Sequence, residues 1–130
     1  MTLDYHAIEQ AVKSETNAGE FADLMRTFRE LGVQRYDYLV ADGRYRYYDA
    51  DSHIDLQMNG VPQPVAATSN AAKIKAAVLA AQAGQFDFTR FCQLAGEAGV
   101  PVWTSDLMSK TVSYYDHEHY VLLAEPIPGL

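Results

Sequence analysis

The chain has a single cysteine, Cys92, in 130 residues, which excludes an intrachain disulfide and suits a reducing compartment. No apolar run is long enough to span a bilayer, since the least polar stretch, residues 71–83, contains Lys73 and Lys75. The opening residues Met1 to His6 lack a charged-then-apolar signal pattern, so a cytoplasmic location is expected, with no membrane association. Basic residues are scarce: ten Lys and Arg stand against seventeen Asp and Glu, a net charge of −7. That balance is a poor footprint for binding nucleic acid, and none is expected as a partner. Also absent are a glycine-rich phosphate loop, a paired-cysteine zinc motif, a serine nucleophile elbow and a helical His-Glu-x-x-His. A non-catalytic protein is therefore the preferred reading, and no cofactor is expected.

What is present is a repeat. Gly32-Val33 followed by Tyr47-Tyr48-Asp49 returns 67 residues later as Gly99-Val100 and Tyr114-Tyr115-Asp116. At the same offset Phe21 matches Phe88, Glu30 matches Glu97 and Leu56 matches Leu123, while Tyr36 stands against Trp103 and Ile54 against Val121. Such a fixed period bears on architecture before any other feature. With 48% hydrophobic and 21% charged residues, the chain suits one compact domain, residues 1–130, built from two such units.

Local patterns fill in each unit. Thr2 caps a first helix over roughly residues 3–16, and Phe21, Leu24, Met25, Phe28 and Leu31 form the apolar stripe of a second, which Gly32 closes. The period then switches to two. Strands are predicted over 35–40, 45–48 and 53–58, with Asp42-Gly43 as a two-residue hairpin turn of the type that needs positive φ at both positions. Residues 59–69, with Gly60, Pro62 and Pro64, read as a linker. Beyond it, Ile74, Ala77, Val78 and Ala81 mark a third helix, and Asp87 caps a fourth that ends at Gly99. Strands follow over 101–107, 111–115 and 119–124, before a proline-rich tail unsuited to a ladder.

The expected fold is α+β in two layers. A first ααβββ copy covers residues 1–58, a linker 59–69 and a second copy 70–125, with an antiparallel sheet and helices mainly on one face. Strand alternation puts Arg44, Arg46 and Tyr48 on one side and Tyr45 and Tyr47 on the other, with Thr111, Ser113 and Tyr115 opposed to Val112 and Tyr114. Arginine and threonine belong with water. Tyr47 and Tyr114 should therefore lie under the helices, and Tyr48 and Tyr115 should look outward.

The segment Ala71-Ala72-Lys73-Ile74-Lys75-Ala76-Ala77, followed by Phe91-Cys92, Ala98-Gly99-Val100, Trp103, Asp106, Tyr114-Tyr115 and Leu122-Leu123, resembles a known family. It is similar to the YdfO-like and YbcV-like domain of unknown function, found in bacteria and prophages and sometimes labelled phage envelope-like. The resemblance implies an α+β fold and no assigned activity, so it carries no catalytic residues over to this chain.

Candidate sites remain. His117 and His119, two apart beside Asp116, form a potential metal pair if placed on a strand, with Asp49, His53 or Asp106 as further ligands. The alternative, a polar turn, is preferred, because the first unit has Ala50-Asp51-Ser52 in the matching place. Cys92 sits on an apolar stripe and reads as a buried small hydrophobe rather than a nucleophile. Asp49 and Asp116 could converge as an acid–base pair, but aspartate also opens turns. Tyr36, Trp103, Tyr48 and Tyr115, with Arg46 beside them, could make an aromatic platform on an open sheet face.

The preferred function is therefore an interaction module, binding an unknown protein partner or forming a homodimer through that face. The alternatives are an enzyme or small-ligand or metal binder with a site at the seam between the units, for which Asp49, Asp116, His117, His119 and Arg35 would be the first residues to test. A further alternative is an acidic phage-type decoy protein.

Overall fold

Residues 35–39 alternate strictly. Tyr36 and Tyr38 are buried, whereas Arg35, Asp37 and Leu39 are exposed or half-exposed. The same alternation recurs over residues 44–48, 102–106 and 111–115, which is how a sheet covered on one side reads in sequence. The computed structural model describes residues 6–8, 10, 21–56, 60–85 and 87–127. Helix α1 (Phe21–Glu30) leads into β1 (Arg35–Leu39), β2 (Arg44–Tyr48) and β3 (His53–Leu56). Helices α2 (Ala71–Gln82) and α3 (Phe88–Glu97) precede β4 (Val102–Asp106), β5 (Thr111–Tyr115) and β6 (Val121–Pro126). His6 to Ile8 and Gln10 are helical, and the rest of the helix expected over 3–16 lies outside the described residues.

The strands form one six-stranded antiparallel sheet in the order β3-β2-β1-β4-β5-β6, so the fold is α+β with an open sheet. The central pair, β1 and β4, joins the two halves of the chain, with Asp37 directly opposite Thr104. The pairings of β4 with β5 repeat those of β1 with β2 at the 67-residue offset: Arg35 faces Tyr48, and Val102 faces Tyr115. Two chain reversals repeat as well. The Val33 amide donates to the Phe28 carbonyl and the Val100 amide to that of Ala95, closing α1 and α3 around Gly32 and Gly99, both at positive φ. Gly43 and Lys110, also 67 apart, both have φ of 62°.

The correspondence stops at the outer strands. Four residues connect β2 to β3, whereas residues 116–120 connect β5 to β6, with His119 at φ 66° and a register irregularity at Tyr114/Tyr115. The last strand therefore begins two residues later than its sequence pattern suggests. It runs on to Pro126, a residue the expectation left outside the ladder. Pro126 pairs with Thr111 at the edge of the sheet, where a missing amide donor is tolerated. The first hairpin also differs from expectation. Its turn spans residues 40–43, Gly43 alone has positive φ, and the Gly43 amide donates to the Leu39 carbonyl at 2.8 Å.

The core lies between the helices and the inner sheet face. Phe28 of α1 meets Tyr36 and Tyr47 edge-on, at 5.7 and 5.2 Å between centroids, and Phe91 of α3 meets Trp103 and Tyr114 at 5.3 and 6.3 Å. Tyr38 stacks on Trp103 across the central strand pair at 4.5 Å. With Tyr45, which packs on Tyr36, Tyr38 and Tyr47, six aromatic residues of the sheet tile one face, each pair adding about 0.5–1.5 kcal/mol beyond area burial.

The segment expected as a linker is ordered as a strap from residue 60 onward. The Gln63 amide donates to the Val40 carbonyl, that of Ala66 to Gly96 and that of Asn70 to Ala98, while the Ser69 hydroxyl donates to the Gly99 carbonyl at 2.8 Å. A Cβ at Gly43, Gly96 or Gly99 would collide with strap backbone at Pro62, Pro64 or Thr68, so the close approach requires glycine at these positions.

Candidate functional site

The outer sheet face holds a cluster of polar groups that meet one another. Row by row it reads Asp55, Arg46, Asp37, Thr104, Ser113, and then His53, Tyr48, Arg35, Asp106, Thr111. Arg46 donates to both carboxylate oxygens of Asp55, at 2.7 and 3.1 Å. That contact, ahead of one with Tyr48, raises the Arg46 guanidinium above its ordinary range, and in return Arg46 holds the Asp55 carboxyl below the usual carboxylate value. Asp37 accepts hydrogen bonds from the Thr104 hydroxyl at 2.7 Å and the Tyr48 hydroxyl at 3.2 Å. The Arg35 guanidinium lies over the Tyr48 ring at 4.2 Å.

Tyr48 and Tyr115 look outward and are half-buried, while Tyr47 and Tyr114 lie under the helices, as the alternation predicts. The imidazole of His119 stacks on Tyr115 at 4.1 Å and 3°. Each outward tyrosine therefore has a planar cationic or imidazole group laid on its ring. They do not converge. Three inter-strand steps and four residues of register separate them, which places them roughly 20 Å apart, diagonally across the face.

Tyr36 and Trp103, expected beside them, are not on this face. Each is only 4% exposed in the aromatic layer beneath the helices. The reason is parity: Arg35 and Asp37 flank Tyr36, and whichever side carries the charges leaves the aromatic residue to the core.

The other candidates resolve into local structure. His117 and His119 lie in the turn between β5 and β6 rather than on a strand. The His117 Nε2 lies 2.7 Å from the Ala66 carbonyl and ties the strap to that turn, while His119 is engaged with Tyr115. Asp49 accepts from the amides of Asp51 and Ser52, at 2.8 and 2.6 Å, which lowers its pKa, and Asp116 accepts from the amides of Glu118 and Tyr120. Both are turn residues, at opposite edges of the sheet. Cys92 is buried 3.4 Å from the Tyr38 hydroxyl, and burial pushes its thiol up to about 11, so it does not supply a thiolate at neutral pH.

Asp37 and Thr104 were not among the residues expected at a site, and Arg35 was expected only at one between the units. A usable signal was there: Asp37 and Thr104 are separated by the same 67-residue offset as the repeat, and they face each other across the two central strands. Away from this face, an open groove of about 640 Å³ is lined by Ala66, Lys73, Ala76, Ala77, Ala80, Leu94 and Glu97. It lies between α2 and α3, not at the seam between the halves.

Comparison with known proteins gives two findings. Residues 9–126 match a family described as "Protein of unknown function (DUF1398)". The chain is 28% identical over 120 residues to the uncharacterized protein YcgX of Escherichia coli (strain K12), an alignment covering 91% of this chain and 87% of that protein.

Proposed function

As a chain that belongs to the DUF1398 family of proteins of unknown function, we propose that this protein is a non-catalytic interaction module that binds a protein partner through its outer sheet face. The observation that carries the reading is the stacking of Arg35 on Tyr48 and of His119 on Tyr115. A ring already fixed in place loses little rotamer freedom on binding, and tyrosine with arginine dominates the energetics of protein interfaces. The charges of the face support a protein rather than a nucleic acid. Arg35, Arg44 and Arg46 are balanced by Asp37, Asp55 and Asp106, which leaves no net basic field to attract phosphates. Asp37, Arg46, Tyr48, Asp55 and Asp106 are tied to one another or to the backbone.

The same reading includes the finer expectations: a cytoplasmic protein, a likeness to YdfO-like and YbcV-like proteins with their prophage association, and two halves descended from one duplicated unit. The shared register and the paired positive-φ sites at Gly43 and Lys110 support the last of these.

Affinity capture from lysate of the host cell, with wild type and Tyr48→Ala/Tyr115→Ala as baits, tests the function. Proteins retained by wild type should be reduced at least about ten-fold with the double variant, the effect of losing about 1.4 kcal/mol. Circular dichroism should show the fold unchanged. Equal capture by both baits would remove the reading.

A further inference from the structure

Residues 61–69 cross the molecule as a strap that is thinly held. Val61, Pro62, Pro64, Ala67 and Thr68 are exposed, while Gln63, Val65, Ala66 and Ser69 are half-buried, with Val65 packed against the edge of the core. Its described fastenings are single hydrogen bonds. The Val61 amide donates to the Tyr38 hydroxyl, the Gln63 amide to the Val40 carbonyl and the Ala66 amide to the Gly96 carbonyl. The Ser69 hydroxyl donates to the Gly99 carbonyl, and the His117 ring donates to that of Ala66. A segment with exposed side chains and few buried apolar contacts sits at the low-stability end of a fold. Every residue of the strap gives up backbone freedom on docking, and a single hydrogen bond returns little of it. Pro62 and Pro64 lessen the loss, since a fixed φ leaves less freedom to give up.

The surface beneath the strap is wholly covered. Cys92 and Gly96 are one turn apart and share a face of α3. The strap follows that face: a Cβ on Gly96 would strike the Pro64 carbonyl, and one on Gly99 the backbone of Thr68 and Ser69. One turn earlier, Val61 meets the Tyr38 hydroxyl, which lies 3.4 Å from the Cys92 sulfur. Cys92 has no exposed surface, yet Val61 and Pro62 beside it face solvent. The main packing does not pass through the strap. The six strands bond to one another, and Phe91 holds α3 on Trp103 and Tyr114.

We infer that the strap is a latch: it lifts from α3 while the sheet and helices stay folded, and its closing keeps Cys92 from solvent. The latch joins the two halves on the helical side, since Tyr38 and Val40 belong to the first and Gly96, Gly99 and His117 to the second. Opening uncovers the Cys92–Gly96 face of α3 and removes Ala66 from the wall of the adjoining groove. The pairing of β1 with β4 keeps the halves together throughout. His117 reaches the latch from the turn between β5 and β6, so a ring on another element fastens its middle.

Two native-state measurements on the full chain read the latch, with Cys92 as reporter. Labelling of Cys92 by an aromatic disulfide reagent, in urea below the unfolding transition, follows opening when closing outpaces labelling. Its rate should rise with urea much less steeply than global unfolding does. In hydrogen exchange, the amides of Gln63 and Ala66 should exchange at least about ten-fold faster than those of β1 and β4. His117→Ala, at an exposed position, should speed labelling about five-fold without urea, the effect of one lost hydrogen bond. Thr104→Val, which removes a contact within the sheet and none in the latch, should change that rate by less than about two-fold. Labelling as steep in urea as global unfolding, or unchanged by His117→Ala, overturns the inference. So does labelling that Thr104→Val speeds as much as it speeds global unfolding, or strap amides as protected as those of β1 and β4.

Discussion

The Thr104 hydroxyl donates to the Asp37 carboxylate at 2.7 Å, between two residues that are 67 apart in sequence and directly opposed on the two central strands. This contact sits where the halves of the sheet meet, and the Tyr48 hydroxyl adds a second donor to the same carboxylate. A half-buried aspartate at that point needs donors, because its own neighbours across β2 include an arginine committed to Asp55.

Replacing Thr104 by valine keeps the shape and removes one donor. A hydrogen bond to a charged group contributes about 1.5–3 kcal/mol, and partial exposure lowers that here to about 1–2 kcal/mol. Urea unfolding should show a loss of that size for Thr104→Val and a much smaller one for Thr104→Ser. Equal losses for the two would mean that the hydroxyl contributes nothing and that the methyl packing matters instead.

Lys110 occupies the left-handed region at φ 62°, the conformation that Gly43 supplies at the equivalent turn. A residue with a Cβ is roughly 1–2 kcal/mol less comfortable there than glycine, partly offset by the greater unfolded-state freedom of glycine. Lys110→Gly should therefore raise stability by about 0.5–1 kcal/mol, seen as an upward shift of the thermal midpoint by about 2–4 °C. Gly43→Ala should do the reverse and lose more, since its Cβ would also strike the backbone of Val61 and Pro62.

The core predicts alkaline instability. Burial raises the Cys92 thiol from 9.0 to about 11 and pushes the hydroxyls of Tyr38, Tyr45 and Tyr114 above their ordinary 10.0. Below pH 9 these groups hold their protons in both folded and unfolded chains, and their contribution is complete. Above it the unfolded chain releases protons that the folded one retains, so stability falls as pH rises, by about 1.4 kcal/mol per pH unit for each such proton. Asp49 and Asp55, both held below the ordinary 3.8, act with the opposite sign and lose their contribution as pH drops toward and below that value. Denaturant midpoints measured from pH 3 to 11 should give a plateau flanked by two declines. A flat response between pH 9 and 11 would contradict the burial of these groups.

Much of the fold was legible in the chain. The apolar stripe ending at Gly32, the cap at Asp87 and the charge-flanked tyrosines of the first two strands are local patterns, and each produced the element it implies. Local signals were weaker where geometry depends on a partner. The turn at Asp42-Gly43 looked like a two-residue turn, but docking of the strap against Gly43 accompanies a longer one. The polar turn preferred for His117 and His119 is what forms, but the partners of the two rings, the carbonyl of Ala66 and the ring of Tyr115, come from packing that the local sequence does not show.

Periodicity along a chain reports which side of an element is apolar, because every side chain's direction follows from its backbone period alone. The amino-acid order was accordingly enough to say that Tyr48 and Tyr115 face away from the helices, and that Tyr47 and Tyr114 face toward them. It carried no information on distances between segments far apart in sequence. The joining of both ribbons at β1 and β4, the burial of Tyr36 and Trp103 in one shared aromatic layer, and the tight seating of residues 60–70 arise from long-range packing. Such contacts depend on how whole surfaces fit together, and no single window of residues encodes that fit.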